Sequence, residues 1–239
     1  MPVFRLSEEH IFPPVELSEP DGLLAVGGDL SAGRLIEAYS RGIFPWFTNK
    51  SPIMWWSPDP RFVIIPGGLK VSRSMKQIIR KNVFEITFDR SFRQVITSCS
   101  RAKRRDNGTW ITKEMIEAYV RLHEAGFAHS VEAWENGKLS GGLYGISLGR
   151  AFFGESMFSN VSNSSKAAFI VLAEKLFSLG FSIIDCQVHT GHLESLGAVF
   201  MSRGDFINTV NESLKHETIR GSWKDNPLFC TASETDPVE

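Results

Sequence analysis

The run Ile184-Asp185-Cys186-Gln187-Val188 sets a carboxylate and an amide two residues apart in an otherwise apolar stretch. In extended backbone successive side chains point to opposite faces, so Asp185 and Gln187 share one face and Cys186 takes the other. Side by side, an acid and an amide can hold an ammonium group and position its nitrogen for attack on a carbonyl. The same pair can instead do no more than satisfy backbone groups at a strand end, and the run alone leaves both readings open. No motif marks Cys186 as a nucleophile, so it is expected in the core.

A second run, Phe152-Phe153-Gly154-Glu155-Ser156-Met157-Phe158-Ser159, offers Phe152 and Met157 as the wall of an apolar side-chain pocket, with Glu155 as a charge inside it. Plain core has the same composition. A Gly-x-Ser-x-Gly nucleophile elbow would need glycine at 158, where Phe158 stands, so a serine triad is disfavoured. The glycines between Gly141 and Gly149 lack the Gly-x-Gly-x-x-Gly spacing of a nucleotide loop and are expected to mark bulges, or an edge against which a ligand lies. His189, His192 and Glu194 stand in the wrong order for a zincin helix and no Cys-x-x-Cys pair exists, so no metal site is expected and these histidines are placed on the surface.

The elements that must hold these runs follow from periodicity. Residues 130–134 and 139–147 alternate around an Asn136-Gly137 turn, residues 151–155 form a third strand, residues 166–177 a helix, and residues 181–188 a strand. Upstream, helices are expected at 72–80, 92–99 and 113–125, with strands at 62–65 and 83–88. The first sixty residues are rich in Pro, Gly and Trp and yield one helix, capped by Asp29 or Ser31 and ended by Gly42. These patterns predict an α+β chain: a small N-terminal domain of short pieces (1–61), a mixed-sheet domain with flanking helices (62–230) of acetyltransferase-like pattern, and a disordered tail (231–239).

Three widely spaced cysteines fit reduced thiols. Neither a leader with a basic stretch before an apolar run nor an apolar segment of about 18 residues is present, so the chain is expected in the cytoplasm. The net charge of −1 hides an asymmetry: between Lys70 and Arg105 eleven basic residues face two acidic ones. Lys70, Arg73, Lys76, Arg80, Arg101, Lys103, Arg104 and Arg105 in that block suit a polyanion backbone, and Tyr39, Trp46, Trp55, Trp56 and Trp110 suit stacking on an unpaired base. A solvated basic face and structural tryptophans are the plainer alternative.

Read together, Pro20 to Leu30, Arg41-Gly42-Ile43-Phe44-Pro45-Trp46-Phe47, Trp55-Trp56-Ser57-Pro58-Asp59-Pro60-Arg61, Ser72-Arg73-Ser74-Met75-Lys76, Gly108-Thr109-Trp110-Ile111-Thr112, Gly154 to Ser159 and Ile184 to Val188 resemble, in order, the motifs of the bacterial leucyl/phenylalanyl-tRNA-protein transferases. The similarity spans residues 15 to 230. It implies a transferase that moves Leu or Phe, and less readily Met, from tRNA to proteins beginning with Arg or Lys, marking them for degradation, without metal or coenzyme. It implies also a small N-terminal domain before an acetyltransferase-like one. By the resemblance, Asp185 and Gln187 orient and activate the acceptor amine, Glu155 is a pocket acid, Trp46 and Trp110 hold the terminal adenosine, and Leu143, Phe152, Phe169 and Leu172 line the amino-acid pocket. Leu143 departs from the family's Met, and Phe169 and Leu172 exchange Leu and Phe, which puts the Leu-to-Phe preference in play.

Overall fold

A computed structural model of the chain describes residues 3–102 and 109–229; Lys103, Arg104, Arg105, Gly108, Cys230 and the expected tail lie outside the described residues. Two sheets organise it. The first has strand order β1-β2-β4-β3, from β1 (Phe4–Leu6), β2 (Leu23–Gly27), β3 (Phe44–Pro45) and β4 (Met54–Trp56), with α1 (Ala32–Ser40) between β2 and β3. Where the sequence suggested only short pieces, these strands join because the ladder between β2 and β4 buries Trp55, whose indole N–H donates to the Gly27 carbonyl at 2.9 Å. Ser31 caps α1, its hydroxyl accepting from the Arg34 N–H.

The second sheet runs β11-β5-β10-β9-β8-β7-β6, from β5 (Arg61–Ile64), β6 (Glu85–Phe88), β7 (Ala128–Glu135), β8 (Lys138–Leu148), β9 (Ala151–Ser159), β10 (Ile183–Gln187) and β11 (Val199–Met201). Its helices are α2 (Arg73–Arg80), α3 (Phe92–Arg101), α4 (Lys113–Glu124), α5 (Ser164–Ser178), α6 (Gly191–Ser195) and α7 (Arg203–Ser213). Every expected element of the sheet domain is present, and the mixed α+β architecture with flanking helices stands. The turn at Asn136 and Gly137 has both residues at positive φ, the geometry that the Asn-Gly signal demands. The stretch α6, β11 and α7 adds to the expectation, and β9 runs four residues past Glu155.

All ladders of this sheet are antiparallel except β9 with β10, which the crossover through α5 makes parallel. One apolar cluster, with Ile183, Phe153, Tyr144 and Phe206, continues into Trp55, Phe44 and Tyr39 of the N-terminal part, so the two sheets share a core. The other, with Ile184, Phe152, Leu143, Phe169 and Trp223, lies under α5.

Candidate active site

The parallel ladder of β9 and β10 stops at the rung Asp185 with Phe153. Two residues further along each strand stand Gln187 and Glu155, so they face each other where the strands part. The Gln187 amide donates to Glu155 Oε1 at 2.6 Å, and the Tyr39 hydroxyl from α1 donates to the same oxygen at 2.6 Å. Behind it the hydroxyl of Tyr119 on α4 meets that of Tyr39. Glu155 Oε2 has no hydrogen-bond partner among the described residues.

Bulges aim both groups. On β9, Ser156 pairs with Tyr144 and Gly154 with Gly145, so Glu155 is the extra residue of a bulge. On β10, Asp185 pairs with Val63 and Gln187 with Phe62, so Cys186 is the extra one, and Gln187 sits at φ +62. Such irregularities re-aim side chains, and positive φ at a non-glycine concentrates at functional positions. The bulge at Glu155 also reverses parity along β9. Phe152 and Met157, which simple alternation would place on opposite faces, thereby join the same cluster.

Asp185 is fully buried and pairs with Arg61, whose Nε and Nη2 donate to its two oxygens at 2.8 and 2.7 Å. Oδ1 also accepts the Gln187 backbone N–H at 2.8 Å. The acid therefore closes the strand end, as its plainer reading held, and it fixes Gln187 by the backbone. Both of its oxygens are engaged by Arg61, so Asp185 reaches the cavity lining already paired. Burial raises the Glu155 carboxyl to about 7, outweighing the hydrogen bonds from Tyr39 and Gln187. Burial also pushes the Cys186 thiol far above its ordinary range, so it stays protonated, in keeping with a core residue.

A cavity of about 1010 Å³ opens at this parting of the strands. Leu143, Phe152, Met157 and Phe169 form an apolar wall, Glu155 and Gln187 the polar one, and Trp46 and Trp110 stand on it from the N-terminal part and the loop before α4. Gly145 makes room for the Phe152 ring: a Cβ there would lie 2.6 Å from Phe152 Cζ. The half-exposed Trp46 is steadied by Trp56, whose indole N–H donates to the Trp46 carbonyl at 2.7 Å.

A family model described as leucyl/phenylalanyl-tRNA protein transferase matches residues 63–211, and one for that transferase's N-terminal domain matches residues 28–59. The chain belongs to this family. Proteins named leucyl/phenylalanyl-tRNA--protein transferase from Syntrophobacter fumaroxidans and Syntrophus aciditrophicus are each 55% identical to it, over 94% and 95% of this chain and 96% and 95% of their own. That of Myxococcus xanthus is 53% identical over 93% of this chain and 97% of its own.

Against the transferase motifs, the structure gathers Glu155, Gln187, Trp46, Trp110, Leu143, Phe152, Met157 and Phe169 at one cavity. Three expected contacts differ. Tyr39 is fully buried behind Glu155 and reaches the cavity only through that acid; Leu172 faces the core under α5; Trp55 is spent on the Gly27 carbonyl. His192, expected on the surface, lines the cavity with its Nε2 lacking a hydrogen-bond partner among the described residues, while His189 pairs with Glu194 at 3.1 Å. Tyr119 and Arg61 escaped the sequence reading, since both act through partners more than 75 positions away.

Of the basic residues, Arg73, Lys76 and Arg80 lie exposed on one face of α2 with Met75 buried opposite, and Lys70 is exposed just before them. None of the four has an ion-pair partner among the described residues. Arg101 ends α3 at the cavity wall. Arg90 and Arg93, in the same stretch, are paired with Glu85 at 2.6 Å and Glu117 at 2.7 Å and so offer less charge to a partner.

Proposed function

We propose that the chain uses this cavity to pass Leu or Phe, and less readily Met, from aminoacyl-tRNA to the N-terminal Arg or Lys of acceptor proteins in the cytoplasm, marking them for degradation. The observation that carries the reading is the juxtaposition, where β9 and β10 part, of the apolar wall with the Gln187 and Glu155 pair. The donor's Leu or Phe side chain enters between Leu143, Phe152, Met157 and Phe169, its terminal adenosine rests on Trp46 and Trp110, and the tRNA backbone runs over Lys70, α2 and Arg101.

The acceptor's neutral α-amine attacks the ester carbonyl. A carbon–nitrogen bond forms, the bond to the ribose oxygen breaks, and the proton that the amine sheds balances the one that the ribose hydroxyl gains. Donation of the Gln187 amide to Glu155 leaves its Oε1 to accept from the amine. An amide is too weak a base to carry the reaction, but an ester is already activated, so alignment is the main requirement. Glu155 draws in the acceptor's positive charge, and Asp185 acts as a positioning residue. The division into an N-terminal domain (1–61) and a catalytic domain (62–230) is supported by the two family models, which meet between residues 59 and 63.

The decisive assay offers labelled Leu-tRNA and Phe-tRNA to peptides starting with Arg, Lys or Ala. Transfer is expected to Arg and Lys alone, and Gln187→Ala is expected to lose about 100-fold in transfer while binding tRNA normally. Equal labelling of the Ala peptide, or full activity in Gln187→Ala, would overturn the assignment.

A further inference from the structure

Trp223 stands twelve residues beyond residue 211, where the match to the family ends, and outside the cavity wall, yet it is fully buried. It belongs to the segment after α7 that crosses back over the sheet. Its backbone N–H donates to Asp89 Oδ2 at 2.7 Å, and that oxygen also accepts from His129 Nδ1 at 2.8 Å. The indole is clamped between the His129 ring, stacked at 3.7 Å and 5°, and the Phe229 ring, stacked at 4.0 Å and 9°. Burial holds His129 neutral, which suits a ring that donates through Nδ1 to a carboxylate and stacks on apolar surface.

What this clamp supports is Phe152. The two rings lie 6.2 Å apart at 36°, Phe152 is almost wholly buried, and its cavity-facing position leaves Trp223 as its backing. The other ends of Phe152 are confined as well. Gly145 accommodates its tip, and Leu143 and Phe169 lie in the same cluster. In close-packed surroundings a wall residue can retreat only into space that its backing gives up.

We propose that Trp223 determines donor specificity: by fixing the depth at which Phe152 stands, the C-terminal segment sets how bulky a donor side chain the pocket accepts. This rests on the reading above that Phe152 lines the donor pocket. Shortening the backing side chain lets Phe152 recede and favours the larger donor over the smaller. Discrimination between apolar side chains that differ by about a methylene runs to tenfold or more, so the effect is measurable.

The test compares kcat/KM for Phe-tRNA and Leu-tRNA in the full chain and in Trp223→Leu, Trp223→Phe and Arg220→Ala. Arg220 anchors the same segment without contributing to the Trp223 clamp, its guanidinium lying 4.5 Å over the Phe127 ring and donating to the Ala125 carbonyl at 3.2 Å. The Phe-to-Leu ratio is expected to rise about tenfold in Trp223→Leu and a few-fold in Trp223→Phe, and to stay at the wild-type value in Arg220→Ala. A ratio that stays within twofold of wild type in Trp223→Phe, or one that Arg220→Ala shifts equally, overturns the proposal. Trp223→Phe decides the matter should Trp223→Leu not fold. Wild-type protein that transfers neither residue refutes the functional reading instead, so the two failures are distinct.

Discussion

Glu155 is held at an ionisation near neutrality, about 7 against an ordinary 4.5, because burial outweighs two hydrogen bonds to its carboxylate. A carboxyl whose folded pKa is raised favours the folded state below its unfolded pKa, and that contribution disappears as pH climbs through the folded value. The Glu155 contribution to stability should therefore fall by about 3 kcal/mol between pH 4.5 and pH 7, and Glu155→Gln should lack that part of the slope in denaturation series across the window. Transfer should move the other way. Its kcat/KM rises through about 7 as Glu155 ionises and attracts the acceptor, and Glu155→Gln keeps only the rise that belongs to the acceptor's own amine. A Glu155→Gln pH profile identical to wild type would remove the acid from the mechanism. At this scale the sequence singled out Glu155, Gln187 and Asp185, and the structure brings the three together where β9 and β10 part. The sequence could not apportion their work, since the partner that occupies Asp185 is Arg61, 124 positions away.

The helix α2 shows an element acting as a unit. Ser72 caps it, its hydroxyl accepting from the Met75 N–H, and Met75 anchors one face, so Arg73, Lys76 and Arg80 present a fixed stripe without ion-pair partners among the described residues. If that stripe meets phosphates, each lost contact takes about one unit from the slope of log affinity against log salt. Arg73→Ala/Lys76→Ala/Arg80→Ala is expected to flatten the slope for charged tRNA by about 2 to 3 units and to leave turnover at saturating tRNA nearly unchanged. An unaltered slope would move the tRNA path elsewhere. This helix was legible because its apolar and basic residues separate at helical spacing. The strand β11 was not: three residues at a sheet edge, two of them exposed, carry no alternation to read.

Arg61 joins the whole molecule. Its guanidinium lies 4.7 Å over Phe44 of the first sheet and 4.6 Å over Phe206 of α7, while its hydrogen bonds reach Asp185. Breaking such a buried pair strands a charge, so Arg61→Met and Asp185→Leu should each lose about 3–5 kcal/mol, with transfer lost as well. The double variant Arg61→Met/Asp185→Leu is expected to regain stability in calorimetry without regaining transfer, because the Gln187 backbone N–H still lacks its acceptor. Recovery of both together would show that Asp185 does not position Gln187.

The sequence by itself determined most elements of the large sheet, β11 excepted, the runs that offer an acid and an amide, and the family. Periodicity, turn residues and motif order are local properties, written within a few positions of one another. Tertiary structure alone decided that β9 and β10 part just after Asp185 and Phe153, that two bulges turn Glu155 and Gln187 toward each other, that Tyr39 and Tyr119 stand behind Glu155, and that the Trp223 ring packs beside Phe152. Those outcomes depend on which distant side chain fills a given space or satisfies a given polar atom. Close packing and hydrogen-bond satisfaction settle that across the whole fold at once.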